Sequence, residues 1–185
     1  MWRAWRYPGP ALAVLLSLAG AASGQGHAAP MEATADVPGG QPRRVVSMNL
    51  CTDQLAMMLA APGQLLSVSY LAADPRGSAM AEEAKAYRIN HGLAEEVWLM
   101  QPDLVIAGSF SARATVDMLR RLGVPGVVMQ PAYGLGDIPD RLRQMGVALG
   151  REEAAERAAH AAEQAQRERA RQAAAAPAAA TTERT

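Results

Sequence analysis

The sequence predicts an α/β fold: a three-layer α/β/α lobe on a four-stranded, mainly parallel sheet, followed by a long C-terminal helix. Three observations lead there. Four short apolar runs punctuate residues 44–150: Val45-Val46-Ser47-Met48, Leu65-Leu66-Ser67-Val68-Ser69, Asp103-Leu104-Val105-Ile106-Ala107 and Gly126-Val127-Val128-Met129. None alternates strictly between apolar and polar residues, which marks strands buried on both faces and so a parallel sheet covered by helices. Helical character follows the runs, as crossover connections between parallel strands require.

The elements follow in order. Residues 1–24 read as an export signal: Arg3 and Arg6 precede the apolar stretch Pro10 to Ala22, and Ala22-Ser23-Gly24 offers small residues for cleavage. Left uncleaved, the same stretch would be a membrane anchor. Residues 25–42, rich in Gly, Ala and Pro, are expected to form a flexible leader. The lobe itself is assigned to residues 43–150. Its first helix is predicted from Cys51 to Ala60, capped by Asn49 or Thr52, with Leu55, Met58 and Leu59 inward and Pro62-Gly63 at its end. After a loop over 70–78, a short helix spans Ala79–Ala86, and Tyr87–Gly92 is irregular. Ala94–Met100 forms a helix with Val97 and Trp98 near the core, and Gln101-Pro102 breaks it. Ser111–Leu122 places Val116, Leu119 and Leu122 on one face; Ile138–Leu149 does the same with Leu142, Met145 and Leu149.

From Arg151 the character changes. Glu152–Ala175 is rich in Ala, Glu, Arg and Gln, with pairs such as Glu153/Arg157 four apart, and predicts one solvated helix roughly 36 Å long. Residues 151–175 are therefore assigned to a connecting helix and 176–185 to a disordered tail. A hydrophilic helix of this kind joins two bodies or is left over from something larger.

Composition narrows the chemistry. Formal net charge is zero, so no nucleic-acid surface is indicated. Cys51, the only cysteine, has no internal disulfide partner, and no motif pairs it with a histidine; a packed or pocket-lining thiol is the favoured reading. His27, His91 and His160 lack metal-ligand spacing, and Gly92 interrupts the one i,i+4 pair, His91 and Glu95. Gly108-Ser109-Phe110-Ser111 is not a nucleophile elbow, and Gly134-Leu135-Gly136 lacks the third glycine of a dinucleotide fingerprint. No catalytic constellation or resident cofactor is expected.

Parallel sheets bind ligands beyond the carboxyl ends of their strands. The loops there carry Met48, Asn49 and Leu50, then Tyr70 and Leu71, then His91, then Ser109 and Phe110, then Tyr133. Aromatic and apolar groups with a few neutral polar ones suit a bulky, partly apolar ligand that is held, not converted. Tyr70 and Phe110 would equally serve to cover the sheet's end.

Arg44-Val45-Val46-Ser47-Met48-Asn49-Leu50-Cys51-Thr52-Asp53-Gln54-Leu55 resembles the opening strand and helix of periplasmic substrate-binding proteins for vitamin B12, ferric siderophores and haem. His91-Gly92-Leu93-Ala94-Glu95-Glu96-Val97-Trp98-Leu99-Met100-Gln101-Pro102-Asp103-Leu104-Val105-Ile106 resembles that family's second signature. Leu119-Arg120-Arg121-Leu122-Gly123-Val124-Pro125 is similar to its next step. The resemblance implies an N-terminal lobe that captures cobalamin, a ferric siderophore or haem in the periplasm for an ABC permease of the inner membrane. It also implies a monomer, Glu95 as the permease-docking carboxylate, and residues 151–175 as the helix joining two lobes. Glu95 is equally read as a carboxylate favoured by a helix start. The second lobe has no counterpart in the sequence, so a chain cut short is expected; the alternative is a truncated or degenerate lobe without transport activity, acting at most as an interaction module.

Overall fold

A computed structural model describes residues 40–175. The expected export signal, all but the end of the leader, and the tail lie outside the described residues. The elements are β1 (Val45–Ser47), α1 (Leu50–Leu59), β2 (Leu65–Ser69), a 3-10 turn (Tyr70–Ala73), α2 (Ala81–Ala84), β3 (Arg88–Asn90) and α3 (Ala94–Leu99). Then come β4 (Leu104–Gly108), α4 (Arg113–Arg121), β5 (Gly126–Met129), a second 3-10 turn (Leu135–Asp137), α5 (Ile138–Leu149) and α6 (Glu152–Ala175).

The sheet has five strands in the order β3-β2-β1-β4-β5, every neighbouring pair parallel. The expected count of four is corrected by β3. That strand has three residues, Arg88 is exposed, and it lies at the sheet's edge, so it carries no apolar run to signal it. What holds it is polar: Asn90, fully buried, donates from Nδ2 to Ser47 O and Ser67 Oγ, each at 2.9 Å. At the amino ends of the interior strands, Asp103 accepts from the Arg43 and Arg44 amides at 2.7 and 2.8 Å, joining the entries of β1 and β4.

Because all strands run one way, Ser47, Ser69, Asn90, Gly108 and Met129 end on a single edge, hereafter the rim. The chain moves outward from β1 through β2 to β3, then returns past β1 to β4 and β5. The direction of winding therefore reverses between β1 and β4, where neighbouring connections leave on opposite faces and open a crevice.

Two apolar layers form. Val45, Val68, Leu104 and Ile106 pack beneath α1, α5 and α6; Val46 and Val105 pack beneath α3 and α4 with Val97 and Leu119. Three side chains expected inward are turned out: Met58 is 55% exposed, Trp98 49% and Leu122 48%. On α1 the buried stripe is Thr52, Asp53, Ala56 and Leu59, centred roughly 150° around the helix from Met58. On α3, Ala94 and Val97 face the sheet, which rotates Trp98 outward; Leu122 is the C-cap of α4 and no longer follows its helical face.

The helix expected to be solvated is so only in part. Ala155 and Ala159 are fully buried against α5. Gly146 makes this approach feasible, because a Cβ there would lie 2.3 Å from the Ala155 Cβ. Gly150, at φ 63° in the left-handed region, ends α5 so that α6 can fold back along it. Arg143 then grips α6 through Glu156 at 2.8 Å and Glu163 at 3.0 Å. Beyond Gln166, which bonds the Leu135 carbonyl, every described residue of α6 is exposed.

Candidate functional site

At the reversal between β1 and β4 lies a groove of about 420 Å³. Its floor is the end of β4 and the start of α1. Asn49 caps α1, its Oδ1 accepting from the Cys51 amide at 3.1 Å, and its side chain lies across Gly108. A Cβ on Gly108 would come 2.7 Å from Asn49 Cγ, so only glycine lets the cap and the strand end share this space. Leu50, Cys51, Leu55, Met58, Phe110, Pro131 and Ile138 make the walls largely apolar, and Arg141 and Gln54 add polar groups. Arg141 is held by the Pro131 carbonyl and Gln144.

Further along the rim, Tyr70 and His91 stack with ring centroids 5.7 Å apart and planes 17° from parallel. The Glu96 carboxylate fixes the second ring: it accepts from the His91 amide at 2.7 Å and faces Nδ1 at 3.4 Å. A buried polar network lies behind this pair. Asn90 ties β3 to β1 and β2, Ser47 Oγ and Thr52 Oγ1 are 2.8 Å apart, and Ser69 Oγ and Asp53 Oδ2 share a hydrogen bond of 2.5 Å. Burial pushes the Asp53 carboxyl above the usual carboxylate range, against the opposing pull of the Ser47 and Ser69 hydroxyls.

The sequence-derived residues thus fall into distinct places. Asn49, Leu50, Ser109 and Phe110 line the groove; Tyr70 and His91 form the second platform, with Leu71 exposed beside Tyr70 in the 3-10 turn; Tyr133 stands 78% exposed on the loop after β5, its amide bonded to Asp137. Phe110 is 80% exposed. Met48 differs from the others: it is buried among Val46, Val97 and Leu119, because the strand's alternation turns it into the α3–α4 layer and away from the open rim. Glu95 projects from the first turn of α3, exposed, with no side-chain hydrogen bond or ion pair among the described residues.

Sequence reasoning missed Gln54 on α1, Pro131 after β5, and Ile138 and Arg141, which reach the groove through the packing of α5 beside α1. It also gave no role to Asp53, whose sole signal was polarity beside an apolar run. Among the described residues, no group of three or more His, Cys, Asp or Glu is placed to hold a metal ion, and no helix is long and apolar enough to cross a membrane.

Residues 45–182 match a protein family described as periplasmic binding protein. Several solved structures share the fold. A periplasmic heme binding protein from Pseudomonas aeruginosa is 22% identical with a TM-score of 0.58, the match covering 70% of this chain and 46% of that one. The periplasmic vitamin B12 binding protein of Vibrio cholerae is 23% identical with a TM-score of 0.56, covering 73% and 52%. A periplasmic heme-binding protein from Roseiflexus sp. RS-1 in apo form is 24% identical with a TM-score of 0.55, covering 65% and 46%. The chain spans about half the length of these structures. No curated protein matches it.

Proposed function

The chain belongs to the periplasmic binding protein family, and from that premise we propose that its rim captures a metal chelate in the periplasm for delivery to an ABC permease. The observation that carries this reading is the gathering of Tyr70, Phe110 and Tyr133, all exposed, on the one edge where every strand ends. Exposed aromatics normally cost solvation and are retained where a ligand or partner covers them. Here they stand beside an apolar groove at the winding reversal and a flat Tyr70–His91 pair. A broad planar macrocycle would lie against such faces by stacking, with Asn49 and Ser109 supplying neutral polar contacts. The chelate is cobalamin, haem or a ferric siderophore; similarity in fold to heme-binding and vitamin B12 binding proteins supports the class.

The remaining assignments belong to the same proposal. Residues 1–24 direct export, 25–42 form the leader, 43–150 are the ligand-bearing lobe, 151–175 connect it to a second lobe, and 176–185 lie beyond that helix. The part of α6 beyond Gln166, exposed throughout its described length, supports the connecting role. Glu95, unpaired on α3, supplies the carboxylate that meets a basic residue of the permease.

The test is direct because the candidate ligands absorb visible light. The full chain is titrated with hemin, cyanocobalamin and a ferric hydroxamate, and saturable spectral change is expected with one of them. Tyr70→Ala or Phe110→Ala is expected to weaken it about tenfold, the scale of one lost stacking contact. Flat titrations with all three ligands refute ligand capture by this rim. Glu95→Arg is expected to leave ligand binding unchanged and to abolish association with the permease.

A further inference from the structure

Asp53 is fully buried on α1, and its Oδ1 has no hydrogen-bond partner. Ser69 Oγ lies 2.5 Å from Oδ2, and the Ser47 hydroxyl and the Ser69 and Asn49 backbone amides also face the carboxyl, all opposing the effect of burial, which outweighs them. Among the described residues, no cation pairs with the carboxyl. On the elements packed against α1, Arg141 is spent on the Pro131 carbonyl and Gln144, Arg151 on the Leu59 carbonyl, and Asp74, after the 3-10 turn, pairs with Arg76. A charged carboxylate here would carry a bare anionic oxygen in a dry site, one of the least favourable arrangements a fold can hold. A neutral acid avoids this: its proton lies on Oδ2 and is shared with Ser69, and Oδ1 becomes an uncharged carbonyl oxygen, far easier to leave unpaired.

The consequence reaches the rim. Ser69 is the last residue of β2 and the cap of the turn that begins with Tyr70. Ser47 ends β1, where its carbonyl receives the Asn90 amide that anchors β3 ahead of His91. One acid therefore stands behind the strand ends that carry both rings of the stack.

We propose that Asp53 keeps its proton at neutral pH and acts, through Ser69, as a positioning residue for the Tyr70–His91 platform. That this platform meets a ligand rests on the reading of the rim given above; the protonation and the positioning do not.

The experiment uses the full chain with carboxyl-labelled aspartate. At about pH 7, roughly three units above the ordinary carboxylate value, the Asp53 carbon signal is expected at its protonated position, with Asp74 ionised. An ionised Asp53 at that pH overturns the proposal without any variant. Asp53→Asn, which imitates the neutral acid, is expected to leave the His91 ring signals in place and hemin affinity within about twofold, below the cost of one hydrogen bond. Asp53→Ala and Ser69→Ala are expected to shift the His91 signals and weaken hemin about tenfold. Should Asp53→Asn disturb the ring as much as Asp53→Ala, the charged form is the one the fold uses and the idea fails. If hemin, cyanocobalamin and the ferric hydroxamate all fail to bind the wild type and every variant, the ligand reading fails, and the carboxyl and ring signals still decide the role of Asp53.

Discussion

The α5–α6 pair and the rim solve opposite problems with similar material. Along α5–α6, small residues bring two helices into contact. Gly146 meets Ala155, Leu142, Met145 and Leu149 are buried, and Arg143 binds Glu156 and Glu163 outside. The seam is sealed by shape first and by charge second. At the rim, large aromatic groups stay open to water, and the order lies one layer behind them, in hydroxyls, an amide and a carboxyl with almost every bond satisfied. The contrast teaches that exposure at the rim is not loose packing. A buried polar network is costly unless complete, so a nearly complete one directly beneath exposed rings marks a surface held in shape for something else.

The contrast breaks most sharply at the seam. Gly146→Leu forces a side chain into the space of Ala155 and is expected to destabilise the fold by about 3 kcal/mol, read from urea unfolding. An unchanged midpoint would mean that α6 is not docked as described. Next is the layer behind the rim. Asn90→Ala removes the bonds to Ser47 and Ser67 and is expected to cost about 2 kcal/mol while releasing β3, with faster amide exchange at Arg88–Asn90 and not in β4.

A smaller effect should follow pH. The Asp53 carboxyl is raised by burial in the folded state, so the folded chain holds a proton that the unfolded chain releases. Its stabilising contribution is complete below the ordinary value of 3.8 and is lost as pH rises through the folded value. Compared with wild type, Asp53→Asn should therefore gain relative stability across that window in thermal unfolding. A relative loss with rising pH would reverse the sign and refute the assignment. The smallest stability effect belongs to the rings: Phe110→Ala and Tyr133→Ala should each change unfolding by less than about 0.5 kcal/mol, whatever they do to ligand binding.

Much of this was readable in advance. The apolar runs at 45–48, 65–69, 103–107 and 126–129 placed four strands within a residue or so of their observed bounds, because a doubly buried strand has to be apolar on both sides. Ile138–Leu149 and Glu152–Ala175 matched the observed helices, one by its apolar spacing and the other by its helix-forming composition. The third strand was hidden because a three-residue edge strand with an exposed arginine and a buried asparagine has no apolar signature. Met58, Trp98 and Leu122 were misplaced because hydrophobicity reports that a residue prefers burial, while the helix's rotation decides which residue receives it.

Alone, the sequence determined a parallel sheet, the loops that gather at its carboxyl edge, and a long helix after the lobe, since periodicity and composition are local properties. Strand order was decided only in three dimensions. That order puts the winding reversal between β1 and β4 and brings Arg141 and Ile138 to the groove. It also closes Asp53, Ser69 and Asn90 into one network from positions 53, 69 and 90. The physical reason is that such contacts join residues far apart in the chain, and no local pattern encodes which distant hydroxyl will satisfy a buried acid.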